Sequence, residues 1–228
     1  LATCGKIPFA STFAMFATSR AFEQIRNSIA YPKLNVKIAA THAGITLGED
    51  GASHQAIEDV AVMRAVPNMT IINPADALST RKAIEAAILH NGPMYIRLGR
   101  LGVPEVYKND MDFKIGKGIV LEEGKDVTII AAGFMVHIAL EASNMLKEEG
   151  ISAEVIDMHT IKPIDKELII SSAKKTGAIV TAEEHNIIGG LGSAVAEVLC
   201  EEYPVPMVRV GIKDVFGQSG KPMELVEL

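Results

Sequence analysis

Short apolar runs alternate with longer stretches of helical periodicity along the first hundred residues. The runs have the length and composition of buried strands and occupy residues 7–13, 36–40, 69–72 and 94–98. The helical stretches occupy residues 16–29, 54–65 and 77–90. This alternation predicts a parallel sheet with crossover helices on both of its faces. Asp76 is the expected N-cap of the third helix, and Asn91, Gly92 and Pro93 are expected to end it.

The hydrophobic pattern lapses after the last of these strands. From residue 99 to 118, Gly, Pro, Lys, Asn and Asp recur without a sustained period, which is typical of a linker. We predict an N-terminal domain over residues 1–105, a linker over 106–118 and a smaller domain over 119–228. Residues 1–5 have the pattern of a helix end, so we expect the chain to begin in mid-domain and the first domain to be partial.

A second alternation of strand and helix patterns fills the C-terminal part. Residues 119–121 and 127–132 flank a Glu-Gly-Lys-Asp turn and predict a β-hairpin. Further strand patterns lie at 153–158, 178–182 and 207–211, and helix patterns lie at 136–149, 166–175 and 193–202. Asp165 is the expected N-cap of the middle helix and Gly177 its end. We therefore predict a second α/β domain.

Two polar segments of this second part have competing interpretations. Gly-Gly-Leu-Gly at residues 189–192 precedes a helix and could hold an anion on backbone N–H groups. It lacks the Lys and Ser/Thr of a phosphate loop, so close backbone packing is the favoured interpretation. Glu-Glu-His at residues 183–185 could suggest a metal site, but consecutive strand residues point to opposite faces. We predict a polar strand end there and no metal ligand in this chain.

Composition narrows the classes of function. The chain has 228 residues, 48% hydrophobic and 22% charged, which suits one large or two modest globular domains. A net charge of -6 spread along the sequence argues against a nucleic-acid surface. No apolar run reaches the roughly 20 residues that span a bilayer. Cys4 and Cys200 match neither a disulfide framework nor a metal spacing, so we expect a cytoplasmic protein with no membrane contact.

The segment between the second strand and the second helix, residues 41–55, carries most of the candidate chemistry. His42 would lie at the carboxyl end of the strand, and His54 in the first helical turn after an N-cap at Ser53. Ligands of open parallel sheets bind in this zone, where helix N-termini add positive dipole. Each histidine alone could be an ordinary polar residue, but both occur with Asp50, which favours a functional site.

Five sequence elements resemble the C-terminal half of transketolase, especially the split form in which two chains supply the halves. They are STFAMF at residues 11–16, ATH at 40–42, GEDGASHQ at 48–55, PNMTIINPAD at 67–76 and LGR at 98–100. The resemblance covers essentially the whole chain. It implies a thiamine-diphosphate-enzyme pyrimidine-binding domain followed by a transketolase C-terminal domain. It also implies transfer of a two-carbon ketol unit between sugar phosphates.

The resemblance implies roles for individual residues. Phe13 and Phe16 match the aromatic residues that stack on the aminopyrimidine ring of thiamine diphosphate. Where many relatives have a third aromatic residue, this chain has Ser19. His42 and His54 match two histidines near the reacting carbonyl and hydroxyl groups, where imidazoles transfer protons.

Two further positions match substrate ligands of the same family. Asp50 matches a carboxylate that binds a sugar hydroxyl, and Arg100 matches a ligand of the substrate phosphate. Arg97 could support that site or form a surface ion pair, and the surface pair is favoured. Ala43 and Gly44 stand where many transketolases have Asp-Ser, which leaves the sugar open and is typical of deoxyxylulose phosphate synthase; His42 favours transketolase.

Two parts of the family's active site have no counterpart in this sequence. They are the glutamate that activates the cofactor and the motif that binds its diphosphate and Mg²⁺. We therefore expect a partner chain, the transketolase N-terminal section, to bind Mg²⁺, and the isolated chain to be inactive. The apolar residues 16–29 suggest a homo-oligomer. The alternatives are deoxyxylulose phosphate synthase, a 2-oxo acid dehydrogenase beta subunit, or a non-catalytic assembly subunit.

Overall fold

Two mixed sheets, each covered by helices, make up the computed structural model, which describes residues 1–227. The strands are β1 (Phe9–Ala10), β2 (Lys37–Ala40), β3 (Thr70–Ile72), β4 (Met94–Arg97), β5 (Ile119–Glu122), β6 (Val127–Ala131), β7 (Ala153–Asp157), β8 (Thr160–Lys162), β9 (Ile179–Asn186) and β10 (Met207–Ile212). The α-helices are α1 (Asp59–Arg64), α2 (Ala77–Leu89), α3 (Met135–Glu148), α4 (Lys166–Thr176), α5 (Leu191–Glu202) and α6 (Pro222–Val226). Both sheets confirm the predicted α/β class.

The first sheet has the strand order β1-β2-β4-β3-β8. Strands β1 to β4 pair in parallel, as the alternating pattern predicts. Strand β8 comes from beyond the linker and pairs antiparallel with β3, where Ile71 faces Lys162. The C-terminal half (residues 119–227) therefore completes the sheet of the N-terminal half (residues 1–105).

The second sheet has the order β10-β9-β6-β7-β5, and its topology contradicts the predicted hairpin. Strand β5 pairs antiparallel with β7, while β6 pairs in parallel with β7 and β9. The reason is burial: residues 128–131 are all buried, and such a continuously buried, mostly apolar strand is stable in the middle of a parallel sheet. Strand β5 is consequently displaced to the edge beyond β7.

Helix boundaries follow the local signals where these are strong. Asp76 caps α2 by accepting a hydrogen bond from Ser79 N at 2.8 Å. Asp165 caps α4 in the same way, accepting from Leu168 N at 3.2 Å, and Gly177 ends that helix with a φ of 73°. These predicted caps are confirmed, because capping depends on residues close in sequence.

Two predicted helices differ from the observed ones. The helix predicted over 54–65 begins only at Asp59, because the amides of His54 and Gln55 both donate to Gly51 O in a tight turn. Ser53 consequently does not cap it; its hydroxyl bonds Nδ1 of His54 at 2.9 Å. The stretch predicted over 16–29 is helical but contains two π-helical segments, Phe16–Arg20 and Gln24–Ala30.

One apolar core runs through both halves of the chain. Ile71 and Tyr95 of the first sheet belong to the same buried cluster as Ile130 and Ile156 of the second. Interiors packed in this way transmit displacement from one side to the other. Within residues 1–227, no helix is both long and apolar enough to cross a membrane.

Candidate active site

The carboxyl end of β2 brings two of the predicted site residues together. Ala14 N donates to Thr41 O at 2.7 Å, and Thr41 N donates to Thr12 O at 3.0 Å. These bonds continue the parallel pairing of β1 with β2 past the end of the strands, so Phe13 pairs with Thr41 and its ring lies beside His42. The geometry follows from the sheet, because parallel strands end on the same edge.

Four predicted site residues form one cluster, here called the aromatic site surface: Phe13, Phe16, His42 and His54. The imidazole of His42 stacks on Phe13 with ring centroids 3.9 Å apart and an angle of 10°. Phe16 lies 6.0 Å from Phe13 and is nearly parallel to it, at 13°. His54 meets Phe16 edge-on at 5.3 Å. All four side chains are only partly buried, so the surface is open to a ligand.

His42 has an unusual backbone and an imidazole that favours the neutral state. Its φ of 60° lies in the left-handed region, which few non-glycine residues adopt. Partial burial and the positive charge of Arg100 lower the pKa of His42 below its ordinary value, and the charge of Asp50 opposes this. At neutral pH, the ring is therefore able to accept a proton.

Arg100 and Asp50 lie along the outer side of the same loop. Arg100 donates to Leu47 O at 2.5 Å, and its guanidinium is 3.5 Å from the carboxylate of Glu49. The Arg100 side chain is 41% exposed. Asp50 is exposed on the turn that precedes Gly51. The structure thus places Asp50 on the loop and Arg100, which follows β4, against it, and the charges of both act on His42.

A set of buried polar residues, here called the buried seam, lies where the two halves meet. Its members are Asp59, Arg97, His159, Glu184 and His185, all of them buried. His159 belongs to it because its backbone oxygen accepts from Asn73 N of the N-terminal half at 2.8 Å. Arg97 pairs with Asp59 at 2.8 Å, and its Nη2 donates to Glu184 O at 2.9 Å. The predicted surface pair for Arg97 is wrong, because its side chain is only 4% exposed. A signal was present in the sequence: Arg97 directly follows Met-Tyr-Ile in the apolar run predicted as a buried strand over 94–98.

Glu183, Glu184 and His185 lie among the last four residues of β9, at the predicted polar strand end, and all three are buried. The two glutamates do point apart, as expected for a strand. Glu183 accepts hydrogen bonds from Leu191 N at 2.6 Å and Gly192 N at 2.8 Å. The N–H groups that could have held an anion are thereby occupied by the chain's own carboxylate. Across residues 1–227, no group of three or more His, Cys, Asp or Glu is placed to hold a metal ion.

Glu184 points the other way and contacts the candidate loop. Its Oε1 accepts a hydrogen bond from Thr46 N at 2.7 Å. A Cβ at Gly44 would lie 2.1 Å from the same oxygen, and Gly44 has a φ of 84°. Gly44 is therefore required by the fold, which gives the Ala43-Gly44 sequence a structural reason apart from sugar choice. Nothing in the sequence indicated that Glu184 contacts this loop, because it is 138 residues away from Thr46 along the chain.

Two family models match this chain. The transketolase pyrimidine-binding domain model matches residues 1–105, and the transketolase C-terminal domain model matches residues 116–228. A protein of Methanocaldococcus jannaschii, provisionally named transketolase C-terminal section, is 55% identical over 230 residues, which are all of this chain and 72% of that protein.

Two further matches describe separate subunits. The 6-deoxy-6-sulfo-D-fructose transketolase subunit of Clostridium is 47% identical over 220 residues, covering 96% of this chain and 68% of that one. A solved structure described as a split gene transketolase, inactive beta4 tetramer, superposes with a TM-score of 0.94 at 64% identity. That superposition covers 99% of this chain and 72% of the other.

Proposed function

The chain belongs to the transketolase family, and we propose that it is the C-terminal section of a two-chain transketolase. In this role it takes part in the thiamine-diphosphate-dependent transfer of a two-carbon ketol unit from a ketose phosphate to an aldose phosphate. The observation that carries the proposal is the aromatic site surface, where two near-parallel phenyl rings lie beside two imidazoles in a pyrimidine-binding domain.

Phe13 and Phe16 fit the aminopyrimidine end of thiamine diphosphate. Their planes differ by 13° and the side chains are partly exposed, so a flat heteroaromatic ring could stack on them. When bound, the cofactor supplies the electron sink for the carbanion chemistry of ketol transfer. We assign its diphosphate and Mg²⁺ to a partner chain, the transketolase N-terminal section.

His42 and His54 are the proposed proton-transfer residues. Nδ1 of His42 is 2.9 Å from Thr41 Oγ1, and Nδ1 of His54 is 2.9 Å from Ser53 Oγ. These contacts orient both rings and favour Nε2 as the atom that meets the sugar. Because the pKa of His42 is lowered, its ring is ready to accept a proton from a hydroxyl at neutral pH.

The proposed substrates are sugars that carry an anionic group. Arg100 offers an exposed guanidinium for a phosphate, and Asp50 an exposed carboxylate for a sugar hydroxyl. The Clostridium relative is named for a sulfonated ketose, which extends the candidate donors beyond phosphates. A cytoplasmic location is part of the same proposal.

Assembly with a partner is testable before activity. The solved split-gene relative is described as an inactive tetramer of one chain type, which supports a homo-oligomer that lacks activity alone. We expect gel filtration of this chain to show a homo-oligomer. Addition of the N-terminal section should then produce a new species containing both chains. An isolated chain that catalysed ketol transfer would contradict the need for a partner.

The deciding experiment combines both chains with thiamine diphosphate and Mg²⁺. With xylulose 5-phosphate and ribose 5-phosphate, we expect sedoheptulose 7-phosphate to form. Pyruvate with glyceraldehyde 3-phosphate serves as the control for deoxyxylulose phosphate synthase, and consumption of pyruvate instead would overturn the proposal. Assembly without turnover of these pairs or of the sulfonated ketose would favour a non-catalytic subunit.

A further inference from the structure

The candidate loop, residues 41–55, is held from outside by the C-terminal half. Near its start, Thr46 N donates to the Glu184 carboxylate at 2.7 Å. At its end, Nε2 of Gln55 donates to Gln218 O at 3.0 Å and to Ile45 O at 3.2 Å. The loop carries the proposed catalytic residues, yet residues of the other half fix its backbone.

The contact with Glu184 is the tightest of these. The carboxylate fills the space where a side chain at position 44 would lie, 2.1 Å from an ideal Cβ. Gly44 is itself fixed, because its N–H donates to Ala56 O at 2.8 Å. Glu184 is 6% exposed, so water competes little for its bond with Thr46. A buried N–H without this acceptor would be costly.

Glu184 is in turn anchored to the N-terminal half. Its backbone oxygen accepts from Arg97, and Arg97 also donates to Ala56 O at 3.3 Å and pairs with Asp59. Glu184 therefore contacts the candidate loop through its side chain. Through its backbone oxygen it contacts Arg97, which pairs with Asp59. Such a doubly held group can define a position to a fraction of an ångström.

The contacts of Glu184 in this way fix the position of His42. His42 precedes Gly44 by two residues and Thr46 by four, and its left-handed backbone places the imidazole flat against Phe13 at 3.9 Å. A backbone shift at Gly44 would turn this ring away from the surface on which the reacting groups must meet. Displacement of a catalytic group by about 1 Å can lower a rate by about 10²-fold.

We propose that Glu184 is a positioning residue for ketol transfer: its carboxylate, supplied by the C-terminal half, fixes the backbone at Thr46 and so holds His42 against Phe13. The effect on turnover rests on the proposed function. The effect on the loop does not, and it can be measured on this chain without substrate or cofactor.

Three variants of the full chain separate positioning from general stability. Glu184→Ala removes the acceptor of Thr46 N, whereas Glu184→Gln keeps an oxygen that can accept the same bond. Glu154→Ala is the matched control, because Glu154 is a fully buried glutamate of the same half that bonds Thr128 and Lys175 instead of the loop.

Hydrogen exchange and histidine NMR give the first test. We expect E184A to raise the exchange rate of the Thr46 amide about tenfold or more, while E184Q and E154A change it less than about threefold. The pKa of His42, lowered in the native loop, should move back toward 6.5 in E184A alone. Unchanged exchange at Thr46 and an unchanged His42 pKa in E184A would overturn the proposal.

Kinetics of the assembled two-chain enzyme give the second test. E184A should lower kcat about 10- to 100-fold and change KM for the donor sugar much less, and E184Q should restore most of kcat. Equal losses of kcat in E184A and E154A would show general destabilisation and overturn positioning. If the wild-type pair transfers no ketol unit, the proposed function fails, whereas exchange at Thr46 still decides the role of Glu184.

Discussion

Histidines occupy two regions of this molecule that have opposite surroundings. On the aromatic site surface, His42 and His54 are partly exposed and lie against phenyl rings. In the buried seam, His159 and His185 are 0% and 1% exposed. The comparison shows that burial, more than residue type, decides whether an imidazole is free to do chemistry. Only the first pair can reach a substrate.

The two buried imidazoles are kept neutral by the protein. Burial lowers the pKa of His159 to about 4, and its Nε2 has no hydrogen-bond partner among residues 1–227. Burial likewise lowers the pKa of His185, although Asp59 lies 3.9 Å away and opposes the effect. Their protonation would charge the interior, so these side chains link pH to stability and not to catalysis.

The largest expected effect is the loss of the ion pair at the centre of the seam. Asp59→Ala leaves Arg97 buried without its partner and removes the acceptor of the Tyr95 hydroxyl. We expect the free energy of unfolding, measured in urea, to fall by about 3–5 kcal/mol. A double variant with Arg97→Met should recover part of this loss, because no unpaired charge then remains.

An exposed pair provides the control for that variant. Asp110 pairs with Lys82 at 2.7 Å on the surface, where its side chain is 77% exposed. Asp110→Ala should leave the free energy of unfolding unchanged within error, since water and salt screen such pairs. Comparable losses for the Asp59 and Asp110 variants would show that the seam does not stabilise the contact between the halves.

The pH dependence of stability should come from the seam as well. His159 has a native pKa of about 4 and an ordinary value of 6.5, so the unfolded chain binds the proton first as pH falls. Its contribution is therefore complete above pH 6.5 and is lost progressively between pH 6.5 and 4, by about 3 kcal/mol in total. His159→Asn should show a smaller loss across this range in urea titrations. Parallel pH curves for variant and wild type would contradict a neutral, buried His159.

Much of the site, but not its support, could be predicted from the sequence. The aromatic site surface could be predicted because its four residues lie in short motifs beside the predicted strands 7–13 and 36–40. Parallel strands end at the same edge of a sheet, which brings these motifs together. Capping at Asp76 and Asp165 was equally local. In each case, residues close in sequence determine the structure.

The errors arose where distant residues decide. The pattern at 127–132 showed a buried strand but not its neighbours, so the hairpin was wrong and the pairing of β8 with β3 was not foreseen. In the sequence, Glu184 is one of many acidic residues, and only the folded structure brings it to Thr46. Hydrophobic patterns report burial, whereas contacts across about a hundred residues depend on the assembled sheets.

On the aromatic site surface, a histidine should affect the rate of turnover and not the stability of the fold. His54→Ala in the assembled enzyme should lower turnover by about 10²-fold or more if the ring transfers protons. The free energy of unfolding should change by less than about 0.5 kcal/mol, because the side chain is partly exposed. His90→Ala is the control. It removes an imidazole at the C-terminal end of α2, 3.3 Å from Thr70 Oγ1, and should retain full turnover. If the His54 variant lost stability but kept normal turnover, His54 would have a structural role like the histidines of the buried seam.

The smallest expected effect is on the pKa of His42, which partial burial and the charge of Arg100 lower. Arg100→Ala should raise the pKa of His42, since the guanidinium lowers it and burial, the larger cause, remains. We expect a small rise in NMR titrations, because Arg100 is 41% exposed, and the rise should shrink as salt is added. Arg20→Ala is the matched control, since that cation lies 4.8 Å over Phe16. If the Arg100 variant leaves the pKa of His42 unshifted, Arg100 does not tune this histidine, and burial is the one remaining cause that lowers its pKa.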